Sequence, residues 1–174
     1  MMNNAFDEHF EAWQQWQTSP WGRLRYRVAD ANLGRHFAGQ PSTILDAGGG
    51  NGVEALQYAE RGHTVTVIDS SAEMLSQAPQ HPAITYHQAM LEDLPQRYPT
   101  PQFDVVLCHN VIQYVDDPTA LLQTLMQPLK MDGLLSVIAV NPHSEPLVLA
   151  LRDKNAAAAR AQLGNTNASA RMFK

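Results

Sequence analysis

The stretch Ile44-Leu45-Asp46-Ala47-Gly48-Gly49-Gly50-Asn51-Gly52 sets the frame for the rest of the chain. A short apolar run ends in an acid and opens onto glycines at alternate positions 48, 50 and 52, with Gly49 between them. Glycine is needed where the backbone turns tightly with unrestricted φ, or where a ligand approaches with no Cβ in the way. A strand that empties into such a loop, with helical spacing resuming over residues 52–61, reads as the cradle of a nucleotide-like ligand.

Outward from this loop, short apolar runs alternate with helix-length segments. Thr43–Ala47, Thr64–Asp69, Ile84–His87, Asp104–His109 and Leu134–Val140 are predicted strands, and residues 52–61, 71–78, 119–129 and 147–163 are predicted helices. Strands apolar on both sides, alternating with helices, predict an α/β fold built on a parallel sheet. Ser70 followed by Glu73 predicts a capping box at the helix start just beyond the second strand. Before the first strand, Phe6, Phe10, Trp13 and Trp16 lie near helical spacing, and a second helix is expected after Ser19-Pro20-Trp21-Gly22.

A chain of 174 residues fits a single core. With 44% hydrophobic and 17% charged residues it is too apolar for a disordered chain. No apolar run approaches the ~20 residues of a membrane span, so no membrane partner is expected. The amino terminus lacks the basic and apolar regions of a secretory signal, and the single Cys108 excludes an intrachain disulfide framework, which together predict a cytoplasmic location. Charge is uneven: residues 41–145 carry 12 acids and 3 bases, whereas residues 146–174 carry 1 and 5. That pattern argues against a general nucleic-acid coat and leaves room for one basic edge facing a polyanion.

The ligand can be argued from charge. A dinucleotide fingerprint needs a third glycine where Val53 stands, and Asp46 brings a carboxylate to the loop where a pyrophosphate would be repelled. S-adenosylmethionine carries a sulfonium and an ammonium but no phosphate, and it suits an acidic strand end. Asp69 closes the second strand 23 residues after Asp46, the place of an acid that accepts hydrogen bonds from ribose hydroxyls. Met74 and Leu75 follow, and either core packing or the face of an adenine suits them.

At these residues the chain resembles the class I S-adenosylmethionine-dependent methyltransferases, through motif I at Asp46–Gly52, the acid at Asp69 and the strand Phe103–His109. Gly22-Arg23-Leu24-Arg25, Arg61-Gly62-His63, Ser71-Ala72-Glu73-Met74, His109-Asn110-Val111-Ile112-Gln113-Tyr114-Val115 and Asp117-Pro118 narrow the resemblance to the bacterial CmoM-type tRNA methyltransferases. Those enzymes methylate the carboxyl group of carboxymethoxyuridine at the tRNA wobble position. The resemblance implies a Rossmann-like sheet and cofactor contacts from Arg25, Gly48, Gly49, Asp69, Leu91, Glu92 and His109, beside Asp46, Gly50 and Met74 of the loop and its neighbour. At Glu92 the family's amide is replaced by an acid.

Arg25 would grip the methionine carboxylate with its planar fork, making residues 1–40 a helical lid over a cofactor domain at 41–174. Position alone also suits His109 to a structural role, and Cys108 beside it points to the core. The remaining histidines lack metal-ligand spacing, so no metal is expected, and no nucleophile motif occurs. A carboxylate acceptor is already ionised near neutral pH and needs no general base, so no catalytic residue is assigned. Cationic contacts for the acceptor would come from Arg23, Arg27 or Arg152.

Two alternatives stand beside a tRNA acceptor: a small-molecule methyltransferase of the same fold, and a cofactor-binding protein without catalysis. A complete member of the family adds two strands after the fifth, whereas about 30 residues follow here, so the resemblance implies a C-terminally shortened sheet. Its open edge would invite self-association, and the sequence leaves the oligomeric state undetermined.

Overall fold

The computed structural model describes residues 10–36 and 39–164. Two helices, α1 (Phe10–Thr18) and α2 (Pro20–Leu33), precede the first strand as expected. Ser19 separates them: its hydroxyl accepts from Gly22 N at 3.1 Å, and Pro20 fills the first helical position, where no amide is needed. Phe6 of the predicted first helix lies outside the described residues.

The strands β1 (Thr43–Ala47), β2 (Thr64–Asp69), β3 (Ile84–Gln88), β4 (Phe103–His109) and β5 (Leu129–Ile138) form one sheet in the order β3-β2-β1-β4-β5. Every neighbouring pair is parallel. The helices α3 (Val53–Ala59), α4 (Ala72–Ser76), α5 (Leu94–Arg97) and α6 (Pro118–Met126) connect them. Strand order reverses between β1 and β4, so the crevice at their carboxyl ends is a topological switch point, where open α/β sheets bind ligands.

Side-chain alternation sorts the core into two layers. Ile44, Val65, Val67, Val105 and Leu107 pack with Ala55 and Tyr58 of α3 and Leu33 of α2. Leu45, Ala47, Ile68, Val106 and Cys108 pack on the opposite face with Leu94 of α5 and Leu121 and Leu125 of α6. Each wholly buried aliphatic contributes about 1.5–3 kcal/mol. Asp46, Asp69 and His109 continue the first face along β1, β2 and β4, so that layer turns polar where the strands end. Cys108 belongs to the other layer, and burial pushes its thiol up to about 12.

Several predicted boundaries shift for local reasons. The Ser70–Glu73 capping box does not form: Asp69 Oδ1 accepts from Ser71 N at 2.9 Å, which extends the turn, and Ser71 becomes the cap by accepting from Met74 N at 3.2 Å. The strand expected from Leu134 begins at Leu129. Phe103 pairs with Leu129 and Val105 with Leu134, so the chain bulges between them, with Asp132 at φ 63°. The helix expected to reach residue 129 stops at Met126, two residues before Pro128. The long helix expected over 147–163 is two helices, α7 (Glu145–Leu151) and α8 (Ala156–Ala161). Lys154 at φ 51° breaks the run, and Asn155 caps the second helix by accepting from Ala158 N at 3.0 Å. No described helix is long and apolar enough to cross a membrane.

Candidate functional site

The glycine loop after β1 is pinned from below. Gly48 N donates to Ile68 O at 2.7 Å, and Gly50 N donates to Asp69 Oδ2 at 2.8 Å. With Ser71 N on its other oxygen, the Asp69 carboxylate ties the loop to the end of β2. Gly48 and Gly52 take φ of 78° and 70°, and a Cβ there would come within 2.4 Å of Val111 Cγ2 and 2.7 Å of Tyr86 Oη. These two glycines are therefore required by packing around the loop. At Gly50 the nearest atom to such a Cβ is Met74 Sδ at 3.9 Å, which leaves open space on that side.

Asp46 is fully buried beneath the loop, and its Oδ2 has no hydrogen-bond partner among the described residues. Burial, and then the neighbouring Glu54 charge, push its carboxyl up to about 7, with His109 acting in the opposite direction. An orphaned acid beside a second acid is costly unless a cation arrives to compensate it. Glu54, in the first turn of α3, lies 2.9 Å from His109 Nδ1, and His109 Nε2 lies 2.9 Å from Ser136 Oγ on β5. Both ring nitrogens are thus engaged within the protein. Any contact that His109 makes with a ligand is then through its ring carbons.

The N-terminal helices form the opposite wall. The Arg25 guanidinium stacks 4.9 Å from the Trp16 ring centroid and 4.5 Å from that of Tyr26, and it makes no salt bridge among the described residues. Beside it the buried amides of Gln17 and Asn51 pair reciprocally at 3.2 and 3.1 Å, and Gln17 Nε2 also donates to Tyr26 Oη at 2.7 Å. This contact joins α1 and α2 directly to the glycine loop.

Between these walls lies a cleft of about 1010 Å³. Arg25, Asp46, Gly48, Gly49 and Gly50 line it, as do Asp69, Met74, Leu91, Glu92 and His109, so these ten predicted cofactor contacts meet in one place; Arg152 lines it too, whereas Arg23 and Arg27 do not. Leu91 and Glu92 reach it from a 3-10 turn after β3. Leu75 does not line it and packs against the first core layer instead. Sequence reasoning missed Glu54, Gln17 and Asn51. The one available signal was for Glu54, an acid in the first turn of a helix that starts from a ligand loop.

A protein-family model described as a methyltransferase domain matches residues 45–137, more than half of the chain. The tRNA 5-carboxymethoxyuridine methyltransferase of Escherichia coli (strain K12) is similar at 36% identity over 132 residues, covering 70% of this chain and 50% of that protein. A ubiquinone biosynthesis O-methyltransferase of Actinobacillus pleuropneumoniae serotype 5b (strain L20) is 34% identical over 106 residues, covering 56% and 45%. The chain spans about half the length of the curated relatives it matches. Among solved structures, an S-adenosylmethionine dependent methyltransferase from Mesorhizobium loti superposes with a TM-score of 0.58 at 27% identity, covering 66% of this chain and 54% of that one. By its matched domain and its sheet, the chain belongs to the methyltransferase-domain family, in the class I S-adenosylmethionine-dependent group.

Proposed function

We propose that the cleft binds S-adenosylmethionine and that the chain serves methyl transfer to the carboxyl group of carboxymethoxyuridine in tRNA. The observation that carries the cofactor reading is the pairing across one cleft of a buried carboxylate, Asp46, and an arginine, Arg25, neither of them in a salt bridge among the described residues. That polarity fits a zwitterion with an added sulfonium and opposes a diphosphate. When bound, the cofactor supplies a methyl group activated by the positive sulfur.

The chain's own residues hold and align. Arg25, stiffened between two rings, is suited to grip a carboxylate with two parallel hydrogen bonds. The Asp69 carboxylate in the cleft wall is suited to the ribose hydroxyls, and buried Met74 to the adenine face. Asp46 and Glu54 lower the energy of positive charge beneath the loop. Trp13 and Trp16 line the cleft from α1 and help to exclude water. Transfer to an ionised carboxylate is an in-line displacement in which alignment supplies most of the acceleration, and no proton has to be removed.

The tRNA acceptor, and with it a cytoplasmic setting, rests on the relative from Escherichia coli. Relatives named for ubiquinone biosynthesis support a second reading, a phenolic small-molecule acceptor. Labelled methyl transfer from S-adenosylmethionine separates the two. Incorporation into tRNA bearing carboxymethoxyuridine, falling as salt rises, is the expected result. Turnover on a catechol with none on tRNA would replace it with the second reading, and cofactor binding with no turnover on either would leave a binding protein.

A further inference from the structure

Helix α2 has two differently used faces. Gly22, Tyr26, Ala29 and Leu33 are buried toward the sheet and the lid. The opposite face carries Trp21 at 74% exposure, Leu24 at 49% and Val28 at 50%, interleaved with the exposed Arg23 and Arg27, and exposed Arg35 follows in the turn just after the helix. The only acid on this helix, Asp30, is already held by both guanidinium nitrogens of Arg61, so no unpaired negative charge offsets the arginines within α2. Among the described residues Arg23 and Arg27 have no ion-pair partner, and Arg35 contacts only the Asn32 amide. Residues 41–145 of the sheet domain, with 12 acids and 3 bases, are by contrast acidic.

We propose that the outward face of α2 is an RNA-docking surface, with Trp21 as a stacking platform for an unpaired base and Arg23, Arg27 and Arg35 on phosphates. The inference rests on the tRNA reading above and deepens it by assigning the surface. Three features of the face select this partner. Arginine forks match phosphate oxygens, and a solvent-exposed tryptophan offers a π-face that any base accepts. Trp21 and Arg25 are i, i+4 neighbours, so the platform borders the cleft that Arg25 lines, and a base stacked outside is continuous with a nucleotide entering it. An anionic membrane is the weaker match. Insertion into the interface needs a wide apolar helix face, and here that face is spent on the core while the outer stripe is interrupted by arginine.

The test compares the wild type with Trp21→Ala and with the pair Arg23→Gln/Arg27→Gln, leaving Arg25 intact. Each is titrated with an in vitro transcribed tRNA, with S-adenosylhomocysteine, and with vesicles of phosphatidylserine and phosphatidylcholine. All the substituted side chains are exposed, so unchanged S-adenosylhomocysteine affinity reports an intact fold and cleft. Trp21→Ala is expected to weaken tRNA binding about tenfold or more. Removing two phosphate contacts is expected to lower the slope of log affinity against log salt by about 1.4–1.8. Wild-type affinity and slope in both variants would overturn the docking surface while leaving the tRNA acceptor standing. A wild type that methylates a catechol and shows no salt-dependent tRNA binding would remove the acceptor reading and this surface together. Binding to the vesicles and not to tRNA, lost in the variants, would overturn the proposal in favour of a membrane-facing helix.

Discussion

The reciprocal amide pair between Gln17 and Asn51 links the N-terminal helices to the ligand loop, and its loss should uncouple them. Two hydrogen bonds join the side chains, at 3.2 and 3.1 Å, and both residues are buried. At about 1 kcal/mol net for each bond, the pair contributes a coupling of about 2 kcal/mol. At 1.4 kcal/mol per decade, that is roughly thirtyfold in the equilibrium that seats the N-terminal helices on the loop. A double-mutant cycle with Gln17→Ala, Asn51→Ala and the combination, read by calorimetric titration of S-adenosylhomocysteine, isolates this term. Each single variant is expected to bind more weakly, and the double variant to bind about thirtyfold more tightly than the product of the two single effects requires. Strictly multiplicative losses would refute the coupling, because they would mean that the two residues act on binding separately. Thermal unfolding of the same variants guards against global collapse: the sheet core lies elsewhere, so the cooperative transition should persist.

Two further predictions follow from the loop and the acid beneath it. Gly48→Ala forces a Cβ to within 2.4 Å of Val111 Cγ2 at φ 78°, and the left-handed backbone alone costs about 1–2 kcal/mol. Differential scanning calorimetry should show a fall in Tm of at least several degrees, and an unchanged Tm would contradict the packing role of that glycine. Asp46 has a folded-state pKa raised from 3.8 to about 7, so its stabilising contribution is complete below about pH 4 and is lost as pH rises through about 7. The melting temperature of Asp46→Asn should therefore gain on that of the wild type as pH climbs from 4 to 8, and a constant difference would show that Asp46 does not titrate there.

How much of this was legible in the sequence depended on whether the cause was local. The strands around Ile44 and Val105 were readable because two-sided burial leaves unbroken apolar runs. Asp46, Asp69 and the glycines could be picked out because few other residue types satisfy that turn, and the structure gathers them in one cleft. Gln17 and Asn51 were invisible: they are 34 residues apart, polar and individually unremarked, and only the folded chain brings their amides together. The shift of the helix cap from Ser70 to Ser71 came from the Asp69 side chain capturing an amide, a choice between adjacent serines that spacing does not resolve. Likewise Lys130–Gly133 carried a turn signal in Asp132-Gly133, yet the bulge it forms inside β5 is set by pairing with β4. Leu75 and Met74 were indistinguishable as neighbours on a helix start, and their different surroundings, core for one and cleft for the other, are a matter of helix rotation.

The most direct measurement is the affinity of S-adenosylhomocysteine for the wild type and for Asp69→Ala, by calorimetric titration with circular dichroism to verify the fold. A hydrogen-bonded carboxylate is worth about 1.5–3 kcal/mol, so binding to the wild type and at least a tenfold loss in the variant are expected. Equal affinities would contradict the assignment of the ribose to Asp69, and a wild-type cleft that takes NAD in preference would contradict the cofactor itself.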